Sequence, residues 1–120
     1  AGTVYVDDMK AKFGRMVMCH MIADSDDELH AMADRIGVAR RWHQAPPQHD
    51  SHYDIALSKR ALAVQYGATE ITWRQTGAMT MRRRLTGGLG RPTDPWAGFL
   101  AEREKLRSAG LERTGQDSPA

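Results

Sequence analysis

The sequence has one cysteine and no long apolar run. A lone Cys19 excludes an internal disulfide and is typical of a reducing compartment, where we expect it to be a small core residue. The longest apolar stretch is far shorter than the ~20 residues that a transmembrane helix needs. No charged segment followed by an apolar one opens the chain as an export signal. We therefore expect a cytoplasmic protein with no membrane partner.

Familiar catalytic signatures are also missing. The chain contains no H-E-x-x-H motif, no zinc-type cysteine pair and no EF-hand loop. The Gly-rich stretch 87–90 lacks the Lys-Ser/Thr of a phosphate-binding P-loop and does not follow a strand. No G-x-S-x-G elbow is present, so serine hydrolase chemistry has no support.

The length and composition of the chain are those of an ordinary globular domain. At 120 residues, 41% hydrophobic and 27% charged, the chain has the size and composition of one domain that buries a single core. The net charge of +2 is unevenly distributed, because residues 76–120 hold eight Lys/Arg and five Asp/Glu. The basic excess therefore lies in the C-terminal third.

Strand-like and helix-like segments alternate along the chain. Capping boxes at Ser25 and Thr72 predict helices over 26–36 and from Thr72 to Leu85, and Gly37 ends the first of them. Ser58 is predicted to cap a third helix over 59–66. Strands are predicted over 3–6, 16–22, 38–43, 53–55 and 69–72, with a turn over 10–14. This alternation predicts a compact α/β layered domain with a small, mostly parallel sheet and flanking helices.

The C-terminal region is predicted to be separate from this domain. We place the α/β domain at 1–86, a Gly/Pro hinge at 87–94, a helix at 95–110 and a flexible tail at 111–120. The C-terminal helix carries Trp96, Phe99 and Leu100 on one side. We expect this side to dock on the domain, on a second subunit or on another partner.

All five histidines lie between positions 20 and 54, among many of the acids. Imidazoles and carboxylates move protons and ligate metals near neutral pH. His20 interrupts an apolar strand, and His30 precedes Asp34 by one turn on the same helix face. In an extended segment, His52 and Asp54 point to one face and Tyr53 to the other. We predict that His20, His30, His52 and Asp54 converge as a catalytic site.

Two forms of that site are open. One holds a divalent metal ion through Asp24, His20 and His30, and the other performs metal-free acid–base chemistry. His43 and His49 are interpreted as loop or edge residues without a role.

Ligand-binding residues are predicted at two places. Asp7 and Asp8 follow the first strand, and the carboxyl ends of strands line the ligand crevice of open α/β sheets. Arg40 and Arg41 would offset the charge of a phosphorylated ligand, or would form a solvated face. Arg82, Arg83 and Arg84 would contact a nucleic-acid backbone weakly, or would complement the dipole of a helix end.

Six short segments occur in a fixed order along the chain: Val4-Tyr5-Val6-Asp7-Asp8, Gly14-Arg15, Cys19-His20-Met21, Glu28-Leu29-His30-Ala31, Arg40-Arg41-Trp42 and His52-Tyr53-Asp54. Over about residues 3–76, this pattern resembles a small bacterial and phage family that is known only as a domain of unknown function. The resemblance implies a compact cytosolic domain, in the host cytoplasm if phage-encoded, and supports grouping His20, His30, His52 and Asp54. It implies no established activity or substrate.

Three functional hypotheses follow. The first is a small hydrolase that acts on a phosphorylated or nucleotide-like ligand through the His/Asp site. The second is a phage-type, non-enzymatic binding module for a host protein, a small ligand or nucleic acid. The third is a structural homo-oligomer assembled through Trp96, Phe99 and Leu100.

Overall fold

The structure is a computed structural model that describes residues 3–93. It confirms an α/β layered domain with one five-stranded sheet and three α-helices. The predicted helix at 95–110, with Trp96, Phe99 and Leu100, lies outside the described residues. The elements are β1 (Val4–Val6), β2 (Ala11–Phe13), β3 (Met16–Ala23), α1 (Asp26–Ile36), β4 (Tyr53–Ala56), α2 (Leu57–Gln65), β5 (Thr69–Glu70) and α3 (Trp73–Thr86).

The sheet is built around β3. Met21 pairs with both Val6 and Tyr53, so β1 and β4 lie on opposite edges of β3. Strand β2 pairs with β3 on the β1 side, and β5 extends the sheet beyond β1. The prediction of a mostly parallel sheet is wrong, because β5 is parallel to β1 while the three pairings of β3 are antiparallel. The two-residue connection from β2 to β3 permits only antiparallel neighbours.

The predicted ends of two helices are confirmed. The side chain of Ser25 accepts a hydrogen bond from the backbone N–H of Glu28, and Gly37 closes α1 in the left-handed conformation at φ 82°. At the start of α3, Thr72 and Gln75 form a reciprocal capping box. These local signals are strong because each satisfies backbone groups that a helix end leaves free.

Three local predictions are wrong. The supposed turn over 10–14 contains β2, and Gly14 at φ 64° forms the turn of its hairpin. The segment predicted as a strand over 38–43 contains a 3-10 helix at Arg40–Trp42, whose exposed side chains offer no buried row to a sheet. Helix α2 begins at Leu57, and its N-cap Ala56 provides no side-chain hydrogen bond, so Ser58 is not its cap.

Helices cover both faces of the sheet. On one face, Met21 and Tyr53 belong to a core that includes Leu29 of α1 and Ala63 of α2. On the other face, Tyr5 and Ile22 pack against Met79 of α3 together with Ile71 and Leu89. We call these the α1/α2 face and the α3 face. Because side chains alternate along a strand, β1 and β3 each contribute residues to both cores.

The segment after α3 packs against the domain. Leu89 is buried in the core of the α3 face, and Gln75 donates a side-chain hydrogen bond to the carbonyl of Pro92. In the described part of the chain, no helix is both long and apolar enough to cross a membrane.

Candidate functional site

A row of polar side chains crosses three neighbouring strands on the α3 face. Asp7 follows β1, and its backbone N–H donates to the carbonyl of His20 in β3 at 3.1 Å. His20 is paired in turn with Asp54 of β4. The row therefore places an imidazole between two carboxylates that are far apart in the sequence.

Asp7 is the buried end of this row. Its side chain is inaccessible to solvent and accepts hydrogen bonds from the backbones of Met9 and His20, from Thr76 of α3 and from the ring of His20. Burial alone would raise the pKa of Asp7, but these hydrogen bonds hold it below its ordinary value. The ionised carboxylate only accepts, so the Nδ1 atom of His20, 2.9 Å away, carries the proton. The Nε2 atom of neutral His20 is then a free acceptor.

His52 has the same orientation through a different partner. Its Nδ1 atom contacts the backbone carbonyl of Asp50, which again can only accept. Its Nε2 atom lies 3.4 Å from Oδ1 of Asp54. Burial would lower the pKa of His52, but Asp54 and the Asp50 carbonyl raise it above its ordinary value. Both imidazoles thus turn their Nε2 atoms toward Asp54.

Asp54 has one satisfied oxygen and one that lacks a partner. Its Oδ2 atom accepts a hydrogen bond of 2.9 Å from the side chain of Gln44. Its Oδ1 atom lies 3.4 Å from Nε2 of His52 and 3.9 Å from Nε2 of His20, both longer than a well-formed hydrogen bond. The attraction of His52 lowers the pKa of Asp54, although burial opposes it. Within residues 3–93, Oδ1 of Asp54 is the one buried side-chain oxygen or nitrogen without a hydrogen-bond partner.

One ligand atom each from His20, His52 and Asp54 lies within 4.8 Å of the others. We call these residues, with Asp7 behind them, the His20 cluster. Two imidazole nitrogens and a carboxylate oxygen form a donor set that suits first-row divalent metals. The predicted metal set of Asp24, His20 and His30 does not assemble, because His30 faces the other side of the sheet and Asp24 contacts the hydroxyl of Tyr5.

His30 belongs to a second histidine cluster on the α1/α2 face. Its Nδ1 atom lies 2.7 Å from the hydroxyl of Tyr53, and its ring meets that of His43 edge to face at 4.5 Å. Asp34, which follows His30 by one turn on the same helix, forms an ion pair with Arg40 at 2.9 Å and does not contact His30. The structure therefore brings together three of the four predicted catalytic residues and separates the fourth.

The second cluster continues into a buried serine. Ser51 donates a hydrogen bond to Asp26 at 2.7 Å, so its oxygen accepts from Nε2 of His43 at 2.8 Å. Burial and the neighbouring His30 lower the pKa of His43. This is not a nucleophilic triad, because Ser51 is fully buried and the carboxylate binds the serine rather than the histidine. We call His30, His43, Tyr53, Ser51 and Asp26 the His30 cluster.

A family model matches residues 4–84, and its description is "Protein of unknown function (DUF4031)". The chain belongs to this family. The predicted resemblance to a domain of unknown function is thereby confirmed. No curated protein and no solved structure matches the chain. The matched range contains every residue of the His20 cluster.

The predicted phosphate-binding arginines lie away from the His20 cluster. Arg40 is paired with Asp34, and Arg41 stacks on the exposed ring of Trp42 at 5.2 Å. A cleft of about 410 Å³ lies instead at the carboxyl ends of β1 and β5. Its wall includes Arg60, whose Nε atom donates to the carbonyl of Asp7 at 2.7 Å. The backbone of Asp7 thus borders the cleft, while its buried side chain closes the His20 cluster on that side. Asp8, Lys10 and Glu70 also line it.

The arginine run does not present three cations to solvent. The guanidinium of Arg83 is half-buried and donates to the carbonyls of His49, Ser51 and Ala23 at 2.9, 3.1 and 3.3 Å. Burial lowers its pKa. Arg83 therefore links α3 to the turn that precedes His52. Its guanidinium would have to give up these hydrogen bonds to contact a nucleic-acid backbone.

Several residues that orient the His20 cluster could not be predicted from the sequence. Gln44, Thr76 and the carbonyl of Asp50 have no distinguishing pattern in the sequence. Gln44 reaches Asp54 because its backbone pairs with His52 in an isolated bridge. Only the pairing of strands and loops reveals these partners.

Proposed function

We propose that this protein is a small hydrolase that acts on a phosphorylated or nucleotide-like ligand at the His20 cluster. The observation that carries the proposal is the common orientation of three atoms. The Nε2 atoms of His20 and His52 and the Oδ1 atom of Asp54 face one region, while each opposite atom is held by another partner. When His52 is neutral, these atoms form the fixed set of acceptors that a hydrolytic water needs, whether it is activated by proton transfer or by a metal ion.

The cluster is buried enough to fix its geometry and open enough to be reached. The side chain of His52 is 11% exposed, that of His20 is 22% exposed and that of Asp54 is 36% exposed. The inner end at Asp7 is closed. A ligand therefore approaches from the side of His20 and Asp54, and reduced water access strengthens the electrostatic interactions there.

The neighbouring cleft supports a phosphorylated ligand. Lys10 and Arg60 provide cationic groups at its wall, where the guanidinium of Arg60 donates to the carbonyl of Asp7 at 2.7 Å and also pairs with Glu70 at 3.1 Å. Trp73 is 60% exposed and directly follows Thr72 of the cleft wall. An exposed indole ring can stack on a nucleobase, which favours a nucleotide-like ligand.

The proposal is tested with a panel of phosphate mono- and diesters, including nucleotides and bis(4-nitrophenyl) phosphate. The assay is run with added divalent metals and, separately, with a chelator. Replacing His20 or His52 by Ala, or Asp54 by Asn, is expected to lower kcat/KM by about 10²–10⁴-fold. His30→Gln and His43→Gln are the matched controls, and they should change it only a few-fold.

Circular dichroism and thermal unfolding establish that each variant is folded. The hydrolase proposal is wrong if the wild-type protein cleaves none of the esters under any metal condition. It is also wrong if folded variants of the His20 cluster keep wild-type activity.

A further inference from the structure

We infer that Nε2 of His20, Nε2 of His52 and Oδ1 of Asp54 bind one first-row divalent metal ion, and that Zn²⁺ fits this donor set. The inference deepens the proposed function, on which it rests for its catalytic meaning, because it names how the same site would activate water. It assigns a ligand set different from the Asp24, His20 and His30 set that the sequence suggested.

The spacing of the three atoms is close to that of a metal site. Two donors bound to one Zn²⁺ at about 2.0–2.1 Å in tetrahedral geometry lie about 3.4 Å apart. Oδ1 of Asp54 is 3.4 Å from Nε2 of His52 and 3.9 Å from Nε2 of His20. One ligand atom from each of the three residues lies within 4.8 Å of the others. One of the two measured separations equals the tetrahedral zinc value, and the other exceeds it by about 0.5 Å.

Each donor is held from behind, as metal ligands in proteins usually are. Asp7 accepts from Nδ1 of His20, and the carbonyl of Asp50 accepts from Nδ1 of His52. Gln44 donates to the second oxygen of Asp54. A carboxylate or carbonyl behind a ligating histidine fixes its tautomer and ring orientation. Here both histidines have such a partner, and the second oxygen of Asp54 is held by the amide of Gln44. The remaining Nε2 atoms of both histidines face Oδ1 of Asp54.

The unpartnered oxygen is the feature that points to a ligand. Buried polar atoms are nearly always hydrogen-bonded, and an exception calls for an explanation. In the described part of the chain, this exception falls on Oδ1 of Asp54, between two imidazole nitrogens. A bound cation would satisfy all three atoms together.

The three proposed protein ligands would leave a fourth coordination position of the ion for water. Three protein ligands with a fourth position for water are typical of catalytic zinc, whereas structural sites have four protein ligands. His20 and Asp54 are partly exposed, so this fourth position would be accessible. A divalent ion there supplies Lewis-acid activation of water for hydrolysis.

The test is metal binding by the full chain after removal of bound metal. Co²⁺ is titrated while its visible absorption is recorded, and Zn²⁺ affinity is then measured by competition. We expect one ion per chain and a four- or five-coordinate Co²⁺ spectrum. His52→Ala and Asp54→Asn should weaken binding at least about 100-fold. Gln44→Ala, which removes only a supporting bond, should weaken it about 10-fold or more.

His30→Gln and His43→Gln serve as controls, since they remove imidazoles from the other face of the sheet. Wild-type affinity in these two variants, with loss in the first set, supports the site. The inference is overturned if the wild-type chain binds no ion, or if the controls lose affinity as much as the His20-cluster variants. Ester hydrolysis that persists in chelator would contradict a catalytic metal ion but support the hydrolase proposal. Tight metal binding at this site without any hydrolysis would support the metal site but contradict the hydrolase proposal.

Discussion

The two histidine clusters use the same kinds of residue on opposite faces of one sheet, but only one leaves an acceptor free. In the His30 cluster, Tyr53, Ser51 and Asp26 satisfy the polar atoms that burial removes from water. In the His20 cluster, Oδ1 of Asp54 lacks a hydrogen bond while two Nε2 atoms face it. Adjacent residues of β4, Tyr53 and Asp54, contribute to the two clusters.

This difference shows how a site can be distinguished from core polarity. A closed hydrogen-bond network stabilises packing and gives a ligand nothing to bind. An oriented set with an unmet acceptor is the arrangement expected of a site that binds something. Variants on the two faces should therefore separate into those that alter stability alone and those that alter binding.

The largest effect is expected at Asp7, the buried end of the His20 cluster. Asp7→Asn removes a charge that accepts four hydrogen bonds and places an amide beside donors. We expect the free energy of unfolding to fall by about 3 kcal/mol, measured by urea denaturation. Asp34→Asn, at a fully exposed ion pair near the His30 cluster, is the control and should leave the urea midpoint nearly unchanged. Equal midpoints for both variants would contradict the account.

Arg83 should have the next largest effect, because it ties α3 to the turn between the two clusters. Arg83→Met leaves the carbonyls of Ala23, His49 and Ser51 without their donor. We expect a loss of about 2 kcal/mol in unfolding free energy. The exposed neighbour Arg84 is the matched control, and Arg84→Met should change it by less than about 0.5 kcal/mol. A larger effect at Arg84 than at Arg83 would refute the assignment.

A substitution of Tyr53 tests the hydrogen bonds of the His30 cluster without changing the His20 cluster. Tyr53→Phe removes the hydroxyl that contacts Nδ1 of His30 while keeping the buried ring. We expect a loss of about 1 kcal/mol in unfolding free energy and unchanged Co²⁺ affinity. If the variant lost metal affinity, the two faces would not be independent.

The smallest effect is a difference in pH dependence between His43 and His52. The pKa of His43 is lowered from the ordinary 6.5 by burial and by His30, so its contribution to stability is lost as pH falls below about 6.5. The pKa of His52 is raised by Asp54 and Asp50 against the effect of burial, so its contribution is lost as pH rises through that higher pKa. NMR titration of metal-free protein should place the two imidazoles on opposite sides of 6.5. The reverse order would count against the described environments.

Much of the fold could be predicted because its signals are local. The N-cap at Ser25, the capping box at Thr72 and the left-handed Gly37 act through bonds within a few residues, and the structure has all three. The predicted box at Ser25 is only half formed, because the Glu28 carboxylate accepts from the backbone N–H of Thr3 and the hydroxyl of Ser25 and not from the backbone N–H of Ser25. Strand direction is not local. The two-residue connection before β3 fixes its antiparallel pairing with β2, but nothing near β3 indicates that it also pairs antiparallel with β1 and β4, and the prediction of a mostly parallel sheet was wrong for that reason.

In the candidate site, too, the local features could be predicted from the sequence and the long-range ones could not. The shared face of His52 and Asp54 follows from alternation along one strand and could be predicted. The separation of His30 from His20 could not, because it depends on which face of the sheet α1 covers. Arg83 illustrates a further limit, since a run of three arginines does not show that one of them turns inward to three carbonyls.

The most direct test of the central claim is a crystal of the full chain grown with Zn²⁺, with anomalous diffraction data collected on both sides of the zinc absorption edge. We predict one strong anomalous peak within about 2.0–2.2 Å of Nε2 of His20, Nε2 of His52 and Oδ1 of Asp54. A peak between His30 and His43, or none at the His20 cluster, would contradict the account.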